Sequence, residues 1–481
     1  MRTDRRILKQ GALLFVLLLA FALRVSGLTA QSMWRDEIDA LEFSQASLPT
    51  LVGYFVRPGW NGPLFYVFLR PWVALAGRSE FGLRYFSLWF SVLGVALLYR
   101  LGRVWFSPPA GALAALLSAV SAYMVWYAQE LKMYALVCTL VLVVLYVYRL
   151  AIQRADWRLW VAVIILTWVT AGVHIMGALL VPVLVLLFVV WWPRSRSQWK
   201  VALVALAGVA LPGLVAGPWA LPTLLHGGNI GHHFVPLGSM ARILLSAFSQ
   251  GITNFGGDWA LVVVVYGMLA GTLLRSGSDQ ARPVMTAWVW LATPVLGLYA
   301  ISLRVPMFVD RYLIWIGPAI YVLVARGIVQ LRRRSALLGV VYLILVLGLN
   351  GWGVWKQLGE PIKSDFRAAA AFVRQRRRPD ELALFHISYV RKTFEYYYGD
   401  AAPWADGIPT DEQTRESAVD AEMRAHTAGY ETVWLVLSEP EMWDRRGMTV
   451  DWLTRHAQLV SRADFARVSV RQYRLSAPRS P

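Results

Sequence analysis

The sequence predicts a polytopic α-helical membrane protein that ends in a smaller soluble α/β domain, and three observations carry that expectation. The 481 residues are 57% hydrophobic and 16% charged, with a mean hydropathy of +0.49; ordinary soluble domains are about a quarter charged. Apolar runs close to the roughly 20 residues that cross a hydrocarbon core recur from Leu13 to Trp355. Beyond Trp355 the composition changes, and short apolar segments alternate with helical patterns.

Read at helical length, the apolar runs give about eleven spans, near 8–28, 81–101, 109–128, 133–150, 159–173, 176–193, 200–221, 258–275, 284–303, 311–330 and 335–355. The run from Leu159 to Trp192 is too long for one span at about 1.5 Å per residue, so it is divided near Gly172, His174 and Gly177, either as two spans or as a re-entrant pair. The N-terminal MRTDRRILK followed by an apolar stretch also has the form of a signal peptide, but so many spans follow that it serves equally as the first of them.

The net charge of +18 does not indicate nucleic acid, because Arg and Lys collect between apolar runs rather than along one face. Arg5 and Arg6, Arg100 and Arg103, Arg149 to Arg158, Arg194 to Lys200, Arg275 and Arg282, and Arg332 to Arg334 all fall on one side of the expected topology. The positive-inside rule then puts the N-terminus in the cytoplasm and the C-terminal domain outside, in a plasma or inner membrane. Many of the 23 Trp and 20 Tyr flank the spans, as interfacial rings do. Cys138 is the single cysteine, which leaves no disulfide framework and no cysteine metal site within one chain.

The expected domains are a transmembrane domain over 1–355, with an outer loop 31–80 carrying interfacial helices at 40–55 and 63–76, and an extracytoplasmic α/β domain over 356–481. The latter should hold helices over 363–377, 389–398 and 410–425, strands over 382–387 and 432–437, and further segments near Leu453 and 468–475.

Chemistry is concentrated in the outer loops. Trp34-Arg35-Asp36-Glu37 places two carboxylates just past the first span. Partial desolvation and a neighbouring cation can tune such a group into a base that takes a hydroxyl proton, while the plain alternative is an acidic first turn of a surface helix. Between the third and fourth spans lies Tyr127-Ala128-Gln129-Glu130-Leu131-Lys132-Met133-Tyr134. Its Glu130 and Lys132 either face a cavity or snorkel to the interface. Asp310-Arg311-Tyr312 opens the tenth span ahead of Pro318, where Arg311 can grip phosphate oxygens bidentately or pair locally with Asp310. His174 reads as a hydrogen-bonded packing residue or a ligand contact. His226, His232 and His233 lie in a glycine-rich stretch without zincin or Cys/His spacing, so no metal site is expected there.

In order and side, these positions resemble the C-type (GT-C) glycosyltransferases, in the branch of protein O-mannosyltransferases and the lipid A aminoarabinose transferase. Asp36-Glu37 resembles the family's acidic pair in the first outer loop, Gln129 to Leu136 its Q-E-x-R/K-x-Y-A-L turn, and His174 the histidine of the next outer turn. Arg311-Tyr312 with Pro318 resembles its late R-Y span opening, and Lys363-Ser364-Asp365-Phe366-Arg367 the start of many bacterial tails. Lys132 stands where Arg is commoner, keeping charge but losing bidentate geometry.

The resemblance implies a GT-C-like fold and a glycosyltransferase that takes a hexose or pentose from a polyprenyl-phosphate sugar to a glycan, lipid or protein hydroxyl, with inversion. It assigns Asp36 as base, Glu37 as an orienting carboxylate, and Glu130, Lys132, Tyr134, His174, Arg311 and Tyr312 to substrate binding. No cofactor is expected; a divalent metal stays open, since some distant members of the superfamily use one. The competing readings are a transporter or flippase of a lipid-linked glycan, which should show midplane polar groups and related halves, and a non-catalytic glycan-assembly protein.

Overall fold

The computed structural model describes residues 2–55, 62–154, 156–192, 199–211, 213, 232–253, 257–274, 281–399, 403–407, 410 and 413–476. The chain divides into two compact units, Met1–Leu28 with Phe43–Gly359, and Thr29–Glu42 with Glu360–Pro481. The segment expected as one outer loop over 31–80 is therefore shared between them.

The first unit is helical. Among the described residues, five helices are long and apolar enough to cross a membrane: Glu80–Trp105, Tyr134–Arg154, Ala281–Ser302, Asp310–Arg334 and Ala336–Gly359. A sixth is the pair Pro108–Val120 and Ala122–Ala128, bent by 60°. Shorter apolar helices at Gln10–Val25, Trp157–Val173, Ile175–Val190, Trp199–Leu211 and Gly257–Leu273 occupy the other expected spans. Helices Leu48–Phe55 and Leu64–Ala76 stand where interfacial helices were expected. Leu237–Gln250 is a further helix, lying between the spans expected at 200–221 and 258–275. Gly271 and Gly327 let two helices approach closely, since a Cβ would strike the Leu323 carbonyl at the first and the Gly267 carbonyl at the second.

The bend at Ser121 is built from buried polar groups. A broken helix in lipid must have its freed backbone groups satisfied by protein. Arg24, fully buried, donates to the carbonyls of Ala119 at 2.8 Å and Ser118 at 3.1 Å, and to Ser91 Oγ at 2.8 Å. Beyond the break, Asn350 Oδ1 accepts from the Ala122 N–H at 3.3 Å, Gln357 Nε2 donates to the Ala122 carbonyl at 2.9 Å, and Ser121 Oγ pairs with Tyr321 Oη at 2.6 Å. These contacts fix the turn that carries Tyr123, Tyr127, Glu130 and Lys132.

The second unit is an α/β sandwich with a five-stranded sheet ordered β2-β1-β3-β5-β4. The strands are β1 Leu382–Phe385, β2 Trp404–Asp406, β3 Thr432–Ser438, β4 Ala457–Phe465 and β5 Val468–Leu475. β2, β1 and β3 run parallel, whereas β3 with β5 and β5 with β4 are antiparallel. Period-2 alternation sends Ala383, Phe385, Trp434 and Val436 to one core, with helices Phe366–Arg374 and Ser388–Tyr398. Leu382, Leu384, Val433 and Leu435 go to the other, with helices Glu416–Thr427 and Met448–His456. Burial on both faces explains why β1 and β3 read as unbroken apolar runs.

Candidate active site

In the first unit, the turn after Ala128 and the 3-10 segment Asp310–Ile316 build one cluster. Tyr123 Oη donates to Asp310 Oδ2 at 2.8 Å, and Arg311 Nε donates to Tyr134 Oη at 2.9 Å. The rings run on edge to edge, with centroids 4.8 Å apart for Tyr123–Tyr127 and 5.1 Å for Tyr127–Tyr134. His174 lies 6.0 Å from the Tyr134 ring and 5.4 Å from that of Tyr312. Glu130, Lys132, Tyr134 and His174 are buried; Arg311 and Tyr312 are half-buried.

His174 closes the Trp157–Val173 helix where the sequence predicted a break. Its Nδ1 accepts the Met176 N–H at 3.2 Å, which requires an unprotonated Nδ1 and puts the proton of a neutral ring on Nε2. Nε2 has no hydrogen-bond partner among the described residues, although His174 is 1% exposed. It is a buried donor on the same cluster as Arg311.

Of the glycine-histidine stretch, His226 lies outside the described residues, His233 is exposed and His232 half-buried. Burial and the Arg311 charge lower the His232 pKa, which places this histidine within electrostatic reach of Arg311. Among the described residues no three His, Cys, Asp or Glu side chains gather as metal ligands would.

Asp36 and Glu37 belong to the second unit, in the first turn of helix Arg35–Gln45. Glu37 is fully buried, and its Oε2 stands 3.0 Å from Lys363 Nζ. Asp36 is half-buried. The segment around them is tied to residues 360–397 at many points. Gln31 donates to the Glu360 carbonyl at 2.8 Å and accepts from the Ile362 N–H at 3.0 Å. Ser32 Oγ donates to the Ser364 carbonyl at 2.6 Å, and the Met33 N–H to Tyr397 Oη at 2.6 Å. Arg367 reaches the Thr29 carbonyl at 3.0 Å, and the Arg35 guanidinium lies 3.9 Å from the centre of the Tyr389 ring. The acidic motif and the Lys363–Arg367 motif, remote in sequence, are thus one structural feature. The sequence shows both motifs but not their pairing, which rests on contacts between segments far apart in the chain, such as Glu37 with Lys363.

Eight expected residues therefore sort into two groups. Glu130, Lys132, Tyr134, His174, Arg311 and Tyr312 share the first unit, and Asp36 and Glu37 share the second.

Compared with known proteins, residues 58–219 match the family model for dolichyl-phosphate-mannose-protein mannosyltransferase. Among curated proteins, no sequence match is found. Among solved structures, ArnT from Cupriavidus metallidurans in the apo state is similar, at 15% identity and a TM-score of 0.58 over 98% of both chains. The same protein bound to undecaprenyl phosphate gives 13% identity and 0.58, again over 98% of both chains. The archaeal oligosaccharyltransferase AglB from Archaeoglobus fulgidus, in complex with an inhibitory peptide and a dolichol-phosphate, gives 12% identity and 0.57 over 99% of this chain and 75% of that one. The chain is thus an integral membrane protein with the C-type glycosyltransferase fold, and it resembles the protein mannosyltransferase and ArnT branch of those proteins.

Proposed function

We propose that the chain is a glycosyltransferase that moves a hexose or pentose from a polyprenyl-phosphate donor to an acceptor hydroxyl on the extracytoplasmic face of the plasma membrane. The observation that carries this reading is the Arg311, Tyr134 and His174 cluster: a guanidinium, a phenol and a buried N–H with no partner among the described residues, gathered beside Lys132 at the end of apolar helices. A phosphate headed by a lipid tail suits such a place, because its charge meets cations while its chain stays in lipid. The undecaprenyl phosphate and dolichol-phosphate held by the similar proteins support the same ligand class.

In the proposed reaction the acceptor oxygen attacks the anomeric carbon as the bond from that carbon to the phosphate oxygen breaks. The electron pair stays on polyprenyl phosphate, the acceptor proton passes to Asp36, and the anomeric centre inverts. Arg311 and Lys132 balance the leaving charge, so the phosphate needs no proton. Glu130 and Tyr312 line the donor's sugar and phosphate, and Glu37 orients the turn that bears Asp36. The protein's own side chains supply every step, and no cofactor is assigned.

The test is release of undecaprenyl phosphate from undecaprenyl-phosphate sugars by the protein in lipid nanodiscs, with and without acceptors. Release that needs an acceptor and falls about 100-fold or more in Asp36→Asn supports the proposal. A donor that binds but is never cleaved, or undiminished release by Asp36→Asn, overturns it.

A further inference from the structure

Within the second unit, the carboxyl ends of the parallel strands carry a polar and aromatic shelf with no assigned role. In open α/β sheets, ligands favour the region just beyond these strand ends. β3 ends at Ser438, and the next residue, Glu439, has φ +55°, a left-handed conformation that non-glycine residues seldom adopt. Such strain persists only where the surroundings enforce it. Here it turns the chain into the short helix Pro440–Trp443, which Asp444 locks from behind. Asp444 is buried and accepts from Thr410 Oγ1 at 2.6 Å and from the N–H groups of Met448 at 2.9 Å and Thr449 at 3.0 Å.

The front of the shelf is accessible. Tyr389, Glu439 and Trp443 are half-buried, and Met442 is 67% exposed. Tyr389 Oη donates to Glu439 Oε2 at 2.9 Å, and the Trp443 ring stands edge-on to that of Tyr389, 5.8 Å away. Glu439 Oε1 takes no hydrogen bond from the described residues. Arg35 covers one face of Tyr389, and the residue that follows it is Asp36. The shelf thus abuts the first turn of the helix that bears the proposed base.

We infer that Trp443, Glu439 and Arg35 form an acceptor subsite for a saccharide. A pyranose offers a face of C–H groups and an edge of hydroxyls. An indole face takes the former, and a carboxylate with a guanidinium takes the latter, accepting from one hydroxyl and donating to the next. Tyr389 holds Glu439 and Arg35 in place, which lowers the ordering cost of binding. The inference rests on the transferase reading and narrows its acceptor from any hydroxyl compound to a sugar, presented one residue from Asp36.

The experiment measures binding without turnover. The full-length protein in nanodiscs is titrated with methyl glycosides of glucose, galactose and mannose, with maltotriose, and with a Ser/Thr hexapeptide, by saturation-transfer NMR and calorimetry. At least one saccharide binds, and Trp443→Ala and Glu439→Gln each weaken it by about tenfold or more, whereas Trp443→Phe stays within about threefold. Retained binding by Trp443→Phe shows that the loss in Trp443→Ala is not misfolding. Absence of saccharide binding, equal binding by Trp443→Ala, or binding of the hexapeptide alone overturns the inference. Saccharide binding at the shelf without any undecaprenyl phosphate release would remove the transferase reading and leave the subsite standing; release to the peptide without saccharide binding would do the reverse.

Discussion

Arg311 Nε donates to Tyr134 Oη at 2.9 Å, joining the start of one membrane helix to the start of another across 177 residues of sequence. The bond fixes the plane of the guanidinium, and a planar fork is what bidentate phosphate binding requires. Arg311→Lys keeps the charge and loses the fork. Undecaprenyl phosphate release should fall about 100-fold in Arg311→Lys, the scale on which a lost electrostatic donor acts. Tyr134→Phe, which frees the guanidinium but leaves its charge and fork in place, should cost less, about fivefold. Equal losses in the two variants would show that the phenol itself contacts substrate.

The Glu37–Lys363 pair makes a different kind of prediction, because both side chains are almost wholly removed from solvent. Removing one partner strands the other charge in a poor medium, which costs about 3 to 5 kcal/mol. Glu37→Gln and Lys363→Met should each destabilise the second unit on that scale, seen as faster amide exchange over residues 29–42 and 360–367. The double variant Glu37→Gln with Lys363→Met should cost much less than the sum, because no charge is stranded. An additive double variant would show that the pair is not coupled.

Much of this was legible in the sequence, and the exceptions have physical causes. Apolar runs located most of the described helices of the first unit, and His174 with its flanking glycines marked the real break after Val173. The bend at Ser121 was not visible, since its satisfying groups, Arg24, Tyr321, Asn350 and Gln357, are scattered over distant helices and look like isolated polar residues. In the second unit β1 and β3 were plain, being buried on both faces. β4 was missed because its burial alternates between exposed and intermediate, as suits an edge strand rich in polar residues, and β2 because it is three residues long. The individual candidate residues were named from local motifs; the clamp of residues 29–37 on the tail depends on contacts that no local pattern encodes.

Arg24 yields a prediction about the bend. Its guanidinium serves two carbonyls that the break at Ser121 removes from the helical ladder, and Ser91 besides. Arg24→Met leaves those acceptors buried without a donor, at about 1 to 3 kcal/mol for each group. The melting temperature in nanodiscs should drop clearly in Arg24→Met, and Arg24→Lys should recover part of the loss by reaching one carbonyl. If Arg24→Met melts like the native chain, water rather than Arg24 satisfies the break.

Asp444 gives the pH dependence. Burial alone would raise its pKa, but the nearby His386 ring, the Thr410 hydroxyl and the N–H groups of Thr449 and Met448 outweigh burial and hold it well below the usual carboxylate range. The His386 Nε2 atom stands 3.6 Å from Asp444 Oδ2, and both side chains are buried. A carboxylate whose pKa is depressed by folding binds its proton less readily in the folded than in the unfolded chain. The stability it confers is therefore complete above the unfolded value, about 4, and is lost as the pH falls from there towards the folded value. Amide protection in β1 and β3, taken relative to the intrinsic exchange rate at each pH, should accordingly fall on acidification from pH 5 to pH 3 by more in the native chain than in Asp444→Asn. The variant should be the less protected of the two at neutral pH, by about 1 to 3 kcal/mol. The gap between the two should narrow over this range, because the unfolded carboxylate takes up its proton while the folded one is still ionised. Parallel profiles with a constant offset would mean that Asp444 acts by shape alone and that its ionisation contributes nothing to the fold.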